Sequence, residues 1–269
     1  MGMGKQWPTR MAEAAREMLR EAAGGLVALC FPDDCRVCAR PLEEPSRVPV
    51  CAACLGSFRV IVAPFCGTCG RPMVAGAHTG AAGPMCALCR RGVYSFQMAR
   101  SYAAYDDALL RVISLLKHEA IRPLARVLGE RLAEVASRDP TVGKPKVVVP
   151  VPLHPDRQRE RGFNQAELLA RVVAARLGLP IDAEVLERRK PRPAKLKLSR
   201  HERWEAARGA YAAVTGRQFD NQRVLLVDDV FTTGATLDAC AKALQAAGAE
   251  HVTALTVARV VDAWTGSAP

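Results

Sequence analysis

The sequence predicts an α/β protein in which a largely parallel sheet is flanked by helices and preceded by a cysteine-rich region. Hydrophobic residues make up 49% of the 269 positions, so the chain can bury a substantial core. Nine of the ten cysteines lie between residues 30 and 89. Beyond residue 100, short apolar runs alternate with stretches of helical periodicity. Strands that alternate with helices usually form a parallel sheet covered on both faces.

Each element of the second half is predicted from its periodicity. Apolar side chains at helical spacing predict helices over residues 106–117, 123–137, 164–177 and 235–247. Continuous aliphatic runs predict strands over residues 147–151, 223–229 and 251–260. We expect the boundary between the cysteine-rich and α/β halves near residues 90 to 100.

Residues 1–29 predict a short amphipathic helix. Its apolar positions recur at helical spacing and are Met11, Ala14, Ala15, Met18, Leu19 and Ala22. Because this face is mostly alanine and methionine, packing on the adjacent domain is favoured over membrane binding. No window of about 18 uncharged apolar residues predicts a transmembrane segment, and no secretory signal precedes the cysteines. We expect a cytoplasmic protein, with a peripheral position at the inner membrane as the alternative.

Eight cysteines form four CxxC pairs, which are Cys35/Cys38, Cys51/Cys54, Cys66/Cys69 and Cys86/Cys89. Two such pairs supply the tetrahedral shell of four thiolates that Zn²⁺ prefers. Residues 30–95 therefore predict two structural zinc sites as consecutive ribbons, with a cross-braced pairing as the alternative. A redox dithiol or an iron–sulfur cluster is less favoured by the number and wide spacing of the pairs. Cys30 and Cys240 are interpreted as buried apolar residues.

The stretch VLLVDDVFTTGAT, residues 224–236, predicts a strand that carries Asp228 and Asp229 to the carboxyl edge of the sheet. The turn that follows contains Thr232, Thr233, Gly234, Ala235 and Thr236 and opens the next helix. Its backbone N–H groups and hydroxyls suit a phosphate, and two nearby acids suit vicinal hydroxyls. A ribose 5-phosphate has both features. A receiver domain would need more α/β units downstream, and an NTPase would need a GxxxxGK[ST] loop that the sequence lacks.

A second stretch, VPVPLHPDRQRERGFNQAELLA over residues 149–170, follows another predicted strand. We interpret it as a strand end followed by a proline-rich turn and then by Arg157, Arg159 and Arg161. Guanidinium groups placed there can hold a pyrophosphate by forked, charge-assisted hydrogen bonds. A solvated charged face is the alternative interpretation.

Residues 224–236 resemble the motif of type I phosphoribosyltransferases that binds 5-phosphoribosyl 1-diphosphate (PRPP). With the second stretch and the cysteine-rich start, the chain resembles the ComF family, whose members join a double zinc ribbon to a phosphoribosyltransferase domain. The resemblance implies a double zinc ribbon over 30–95 and a type I phosphoribosyltransferase-like domain over 96–269. It implies that Asp228 and Asp229 hold the ribose hydroxyls, that residues 232–236 wrap the 5-phosphate, and that Mg²⁺ accompanies PRPP. Arg157, Arg159 and Arg161 are then expected at the pyrophosphate. Lys117 is expected at the pyrophosphate or in the ligand pocket, with a solvated helix end as the alternative.

Residues 187–208 carry nine of the basic residues against three glutamates, a net +6 within a chain of +11. Such a segment indicates an anionic partner. The family resemblance also implies a role in competence, with single-stranded DNA contacting this segment and the zinc ribbons, and with DNA-translocation proteins as partners. Lys195 and Ala206 stand where relatives commonly carry Gln and Asn. Two hypotheses follow: a phosphoribosyltransferase, or a nucleic-acid-binding protein that uses PRPP as a regulatory ligand.

Overall fold

The computed structural model describes residues 33–44, 46–74, 79–80, 83–191 and 198–261. The helix expected within residues 1–29 lies outside these ranges. The chain divides after Ser57 into two compact units. This division differs from the boundary expected near residues 90 to 100, because the second cysteine cluster packs within the same hydrophobic core as the sheet.

Among the described residues, the strands in chain order are β1 (Thr79–Gly80), β2 (Gly83–Pro84), β3 (Met98–Ala104), β4 (Val147–Pro150), β5 (Leu186–Arg188), β6 (Tyr211–Ala213), β7 (Arg223–Phe231) and β8 (His251–Arg259). The α-helices are α1 (Ala52–Gly56), α2 (Ala87–Arg90), α3 (Asp107–His118), α4 (Leu124–Arg138), α5 (Pro155–Arg161), α6 (Gln165–Leu177), α7 (Arg200–Ala207) and α8 (Ala235–Ala246).

The central sheet has four parallel strands in the order β3-β8-β7-β4. Both of its edges are covered within the second unit: Val60 pairs with Ala103 of β3, and Ile181 pairs with Val148 of β4. Because all four strands run the same way, their carboxyl ends lie at one edge of the sheet. Ligands of α/β folds bind at such an edge.

Helices cover both faces of the sheet, as predicted. Val224 and Leu226 of β7 pack in one core cluster with Leu237 and Leu244 of α8. Alternate residues of a strand point to opposite faces, so Leu225 faces the other side, where α4 and α6 pack. These two helices approach closely: a Cβ on Gly129 would lie 2.6 Å from Cβ of Val172.

In the α/β half, the predicted helices and strands are confirmed with boundaries shifted by at most two residues, and five further strands and α-helices were not predicted. They are β3, the short helix α5, the antiparallel hairpin of β5 and β6, and α7 inside that hairpin. The proline-rich stretch after β4 leads directly into α5, in which Pro155 occupies the first turn and which the His154 side chain caps, so the three arginines lie on a helix that was not predicted. Residues 192–197 of the basic segment lie outside the described residues.

Across the described residues, none of the helices has the length and apolar character needed to cross a membrane.

Candidate functional site

The acid pair lies near the carboxyl end of β7, at the predicted edge of the sheet. Asp228 and Asp229 are 9% and 5% exposed, and the Asp229 N–H donates to Asp228 Oδ1 at 2.8 Å. Burial, followed by the neighbouring Asp229 charge, raises the pKa of Asp228 to about 7. A carboxyl group in that range can be protonated near neutral pH and ionised when a cation or a hydroxyl-rich ligand approaches.

Lys117, the penultimate residue of α3, reaches the same place. Its Nζ lies 2.7 Å from Asp229 Oδ2, and the two side chains are 21% and 7% exposed. The contact is an ion pair rather than a well-directed hydrogen bond, since Asp229 Oδ2 has no hydrogen-bond partner of acceptable geometry among the described residues. Coulomb attraction therefore holds the lysine over the acids in the ligand-free protein.

The turn after β7 leads directly into α8. Gly234 has φ +85°, a left-handed conformation that other residues rarely adopt, and α8 begins at Ala235. A Cβ on Gly234 would lie 2.5 Å from Cε1 of Tyr94 and 2.7 Å from Cε2 of Phe231. Glycine is thus required both for the backbone conformation and for the space. The N-terminus of α8 adds a partial positive charge that favours an anion.

One cavity of about 200 Å³ joins the acid pair, the lysine and the turn. The residues expected to bind the sugar phosphate that line this cavity are Asp228, Asp229, Thr232, Thr233, Ala235, Thr236 and Lys117. Gly234 supports the turn from behind. The loop Val151–Leu153 forms another wall, because the Val151 N–H donates to the Val227 carbonyl and holds the end of β4 beside β7.

The three arginines of α5 are not brought to that cavity. Arg157 and Arg161 line a neighbouring cavity of about 320 Å³, which shares Lys117 as its wall and also contains His118. Burial and then the charges of Arg161 and Lys117 lower the pKa of His118. Arg159 is ion-paired with Asp156 on the exposed side of the helix and lines neither cavity.

Three polar side chains of the hairpin region, which were not assigned to this site from the sequence, also line the cavity: Arg188, Arg203 and Tyr211. Arg188 lies directly opposite Tyr211 in the β5–β6 register and donates to its hydroxyl at 3.1 Å. The guanidinium carbon also lies 5.2 Å from the Tyr211 ring centroid. Arg203 donates to the Leu198 carbonyl. Arg188 and Tyr211 lie in the short segments LER and YAA, which pair as β5 and β6. Because these segments are far apart in the chain, local periodicity does not predict their pairing.

The eight paired cysteines form two clusters with the sequential pairing. The first unit holds Cys35, Cys38, Cys51 and Cys54, and the second holds Cys66, Cys69, Cys86 and Cys89. Within each set all sulfurs lie within 4.8 Å of one another. The Cys35–Cys54 and Cys38–Cys51 sulfur distances are both 3.8 Å, and the Cys69–Cys86 distance is 3.7 Å.

These distances fit zinc. Four sulfurs about 2.3 Å from a tetrahedral ion are about 3.8 Å apart. The N–H of Cys51 donates to Cys35 Sγ and the N–H of Cys86 donates to Cys66 Sγ, both at 3.3 Å, as expected for acceptors that carry negative charge. Buried Cys240 lies in the hydrophobic core, in agreement with its interpretation as an apolar residue, and Cys30 is outside the described residues.

Sequence comparisons agree with this geometry. Residues 162–264 match the family model described as the phosphoribosyl transferase domain. The chain is 30% identical to competence protein F of Haemophilus influenzae over 78% of its own length and 90% of that protein. It belongs to the ComF family. Two further family members are ComFC of Bacillus subtilis, 28% identical over 90% of this chain and 100% of its own, and YhgH of Escherichia coli K12, 29% identical over 83% and 96%.

Proposed function

We propose that the cavity at the end of β7 binds PRPP. The arrangement of Asp228 and Asp229 beside the turn of residues 232–236, around one cavity, carries this proposal. Two carboxylates suit the 2- and 3-hydroxyls of the ribose, and the start of α8 suits its 5-phosphate. The match to the phosphoribosyl transferase domain supports the same ligand class.

The diphosphate of PRPP then faces the neighbouring cationic cavity. Lys117, shared by both cavities, would leave Asp229 for the diphosphate, with Arg157 and Arg161 behind it. Arg159 is kept out of this role by its position on the exposed side of α5 and its ion pair with Asp156. The oxygen-rich acid pair also fits Mg²⁺, which favours carboxylate and hydroxyl ligands, and which would supply charge neutralisation of the diphosphate.

We propose further that the protein transfers the ribose 5-phosphate group and releases pyrophosphate. The C1–oxygen bond breaks with its electrons going to pyrophosphate, and an acceptor nucleophile forms the new bond to C1. The acid pair can stabilise the positive charge that develops on the sugar, while the cations of the second cavity hold the leaving group. Arg188, Arg203 and Tyr211 line the acceptor side of the cavity in this proposal.

Isothermal titration calorimetry with PRPP, in the presence and absence of Mg²⁺, tests the binding step. We expect Asp228→Asn/Asp229→Asn to abolish Mg²⁺-dependent binding, while Asp107→Asn on the exposed start of α3 leaves it unchanged. Wild-type protein that binds no PRPP would refute the proposal. Release of pyrophosphate in the presence of candidate acceptors then tests transfer separately.

The second candidate is a non-catalytic competence factor that binds single-stranded DNA and uses PRPP as a regulatory ligand. The net +6 of residues 187–208 favours it, and so do the names of its relatives, two competence proteins and a DNA utilization protein. Two of its nine basic residues are ion-paired within the segment, Arg189 with Glu187 and Arg208 with Glu205, and the net +6 already includes these glutamates. DNA-translocation proteins are the partners such a role implies. A reducing compartment such as the cytoplasm fits both roles, since the eight clustered thiols must stay reduced to bind metal.

Fluorescence anisotropy with a labelled single-stranded oligonucleotide separates the two candidates. Phosphate contacts predict an affinity that falls steeply with salt. We expect Arg189→Gln/Lys190→Gln to weaken binding, whereas Arg171→Gln, an equal kind of change on the exposed side of α6, does not. Binding that is absent at low salt counts against the second candidate without affecting the first.

A further inference from the structure

The segment that follows the second cysteine cluster passes directly beneath the phosphate-binding turn. Tyr94, five residues beyond Cys89, donates a hydrogen bond from its hydroxyl to the Thr233 carbonyl at 3.1 Å. Its ring fills the space behind Gly234, where an added Cβ would lie 2.5 Å from Cε1. Tyr94 thus contacts the turn through both its hydroxyl and its ring, although the two residues lie 139 positions apart in the chain.

Tyr94 also joins the turn to its other neighbours. Its ring stacks on Phe96 at 4.7 Å and on Trp204 of α7 at 6.1 Å between centroids, and it meets Phe231 edge-on at 5.9 Å. Phe231 is the last residue of β7, immediately before Thr232. One ring therefore contacts the strand end, the turn and the helix that lies inside the β5–β6 hairpin.

A second connection runs from the cysteine cluster through Arg259, the last residue of β8. This side chain is 5% exposed. It donates to the Cys69 carbonyl at 2.7 Å and to Cys69 Sγ at 3.4 Å, while its guanidinium carbon lies 3.9 Å from the Phe231 ring centroid. Phe231 and Arg259 are direct partners in the β7–β8 register. A metal ligand is thus linked to the residue that precedes the turn by a single buried arginine.

We propose that Tyr94 is a positioning residue for the turn of residues 232–236, and that Tyr94 and Arg259 couple metal bound by Cys66, Cys69, Cys86 and Cys89 to ligand bound in the cavity. Metal at this cluster fixes the segment that carries Tyr94 and the carbonyl that Arg259 contacts. Coupling between two binding sites is reciprocal, so a ligand on the turn also retains the metal. The part that concerns PRPP rests on the proposed function.

The variant Tyr94→Phe removes the hydroxyl and keeps the ring. Loss of one hydrogen bond that orients the turn predicts PRPP binding weakened about 3- to 10-fold by calorimetry. Zinc content, measured by elemental analysis, should remain that of the wild type, which separates positioning from a loss of folding. Tyr102→Phe is the control, because Tyr102 is a buried tyrosine on β3 whose ring meets Phe58 rather than the turn. Equal PRPP affinity of Tyr94→Phe and wild type would overturn the role of Tyr94.

The coupling between the second cysteine cluster and the turn can be tested without PRPP. Hydrogen exchange of the peptide that contains residues 231–237 is followed in the full chain before and after a chelator removes zinc. We expect faster exchange of this peptide after zinc removal, and slower zinc release when inorganic phosphate occupies the turn. Unchanged exchange after removal of zinc from the second cluster overturns the coupling. Cys86→Ser, which affects the second cluster alone, identifies the cluster responsible.

Trp204 offers a spectroscopic readout of the same contact. The other tryptophans are Trp7 and Trp264, so Trp7→Phe/Trp264→Phe leaves Trp204 as the single emitter. Zinc removal should change its emission in this background, and the added change Tyr94→Leu should abolish that response by removing the stacked ring. If wild type binds no PRPP but the exchange and emission responses are present, the proposed function fails and the coupling stands.

Discussion

The Nζ of Lys117 lies 2.7 Å from Oδ2 of Asp229, across the cavity that also contains Asp228. This ion pair joins the end of α3 to the end of β7. It places a cation over an acid pair that would otherwise repel itself in a buried setting. The protonation and pairing of these three groups determine which contacts a ligand of the cavity must displace.

Removing the lysine alone should destabilise the protein. Lys117→Met leaves Asp229 buried without its counter-charge, and we expect a loss of about 3 kcal/mol in the free energy of unfolding. Lys117→Met/Asp229→Asn should recover most of this loss, because no uncompensated charge remains. Urea unfolding of the two single variants and the double variant gives the coupling energy, expected to lie between about 1 and 3 kcal/mol. Additive single effects would contradict the pairing.

The raised pKa of Asp228 predicts a pH-dependent stability. Its folded-state pKa of about 7 lies above the ordinary 3.8, so the folded protein binds more protons than the unfolded chain between these values. The contribution of Asp228 to the free energy of unfolding is therefore fully present below about pH 4 and is lost as the pH rises to about 7. The charged groups that act on it are Asp229, Lys117 and Arg188.

Asp228→Asn should accordingly raise the melting temperature relative to wild type at pH 8, by the equivalent of about 1 to 2 kcal/mol, and much less at pH 5. Differential scanning calorimetry at the two pH values measures this. Asp107→Asn, on an exposed helix start, should show no such pH-dependent gain. A gain of equal size at both pH values would show that burial does not hold Asp228 neutral.

The cost of a side chain at Gly234 can be divided into two parts. Gly234→Ala combines a strained left-handed backbone with a clash against Tyr94 and Phe231. We expect the free energy of unfolding to fall by about 2 to 4 kcal/mol and PRPP binding to weaken. Gly216→Ala is the matched control, since Gly216 has φ +84° but nothing within 4 Å of an added Cβ. That variant should lose only about 1 kcal/mol in chemical unfolding. Similar losses for both would remove the steric argument.

We expect each of the two four-cysteine clusters to bind one zinc ion. We expect two zinc ions per chain for wild type and for Cys240→Ser, since Cys240 belongs to neither cluster. A chain that begins at Phe58 should retain one zinc and bind PRPP, because the second cluster and the cavity both lie in the unit after Ser57. Elemental analysis and calorimetry measure the two properties. A shortened chain that retains no zinc would contradict the division of the protein into two units after Ser57.

Local sequence was sufficient to place the acid pair at the end of a strand and residues 232–236 in the turn after it. Asp228, Asp229 and residues 232–236 are contiguous, and Val224–Val227 before them form an aliphatic run that can only be a buried strand or helix. The CxxC pairs were found for the same reason. The sequence left two interpretations of Lys117, because a lysine near a helix end is usually solvated. The contact with Asp229 follows from the tertiary fold.

Strand β3 was missed because its sequence, MARSYAA, has small residues of low strand propensity. It is a strand because it pairs with β8, which begins about 150 residues later. Arg188 and Tyr94 were missed for a related reason: each meets its partner across a long sequence separation, Tyr211 for the first and Thr233 for the second. Such contacts depend on tertiary structure and leave no periodic signal.

Two buried arginines on neighbouring strands join the second cysteine cluster to the sheet. Arg100 of β3 donates to the Gly67 carbonyl, and Arg259 of β8 donates to the Cys69 carbonyl. A chimera that exchanged residues 58–95 for the ribbon of an unrelated protein would leave both guanidinium groups without these acceptors and the Phe96 ring without its neighbour Tyr94. We therefore expect that the second cluster cannot be exchanged without loss of these contacts, whereas a chimera joined at Ser57 keeps both arginines with their acceptors.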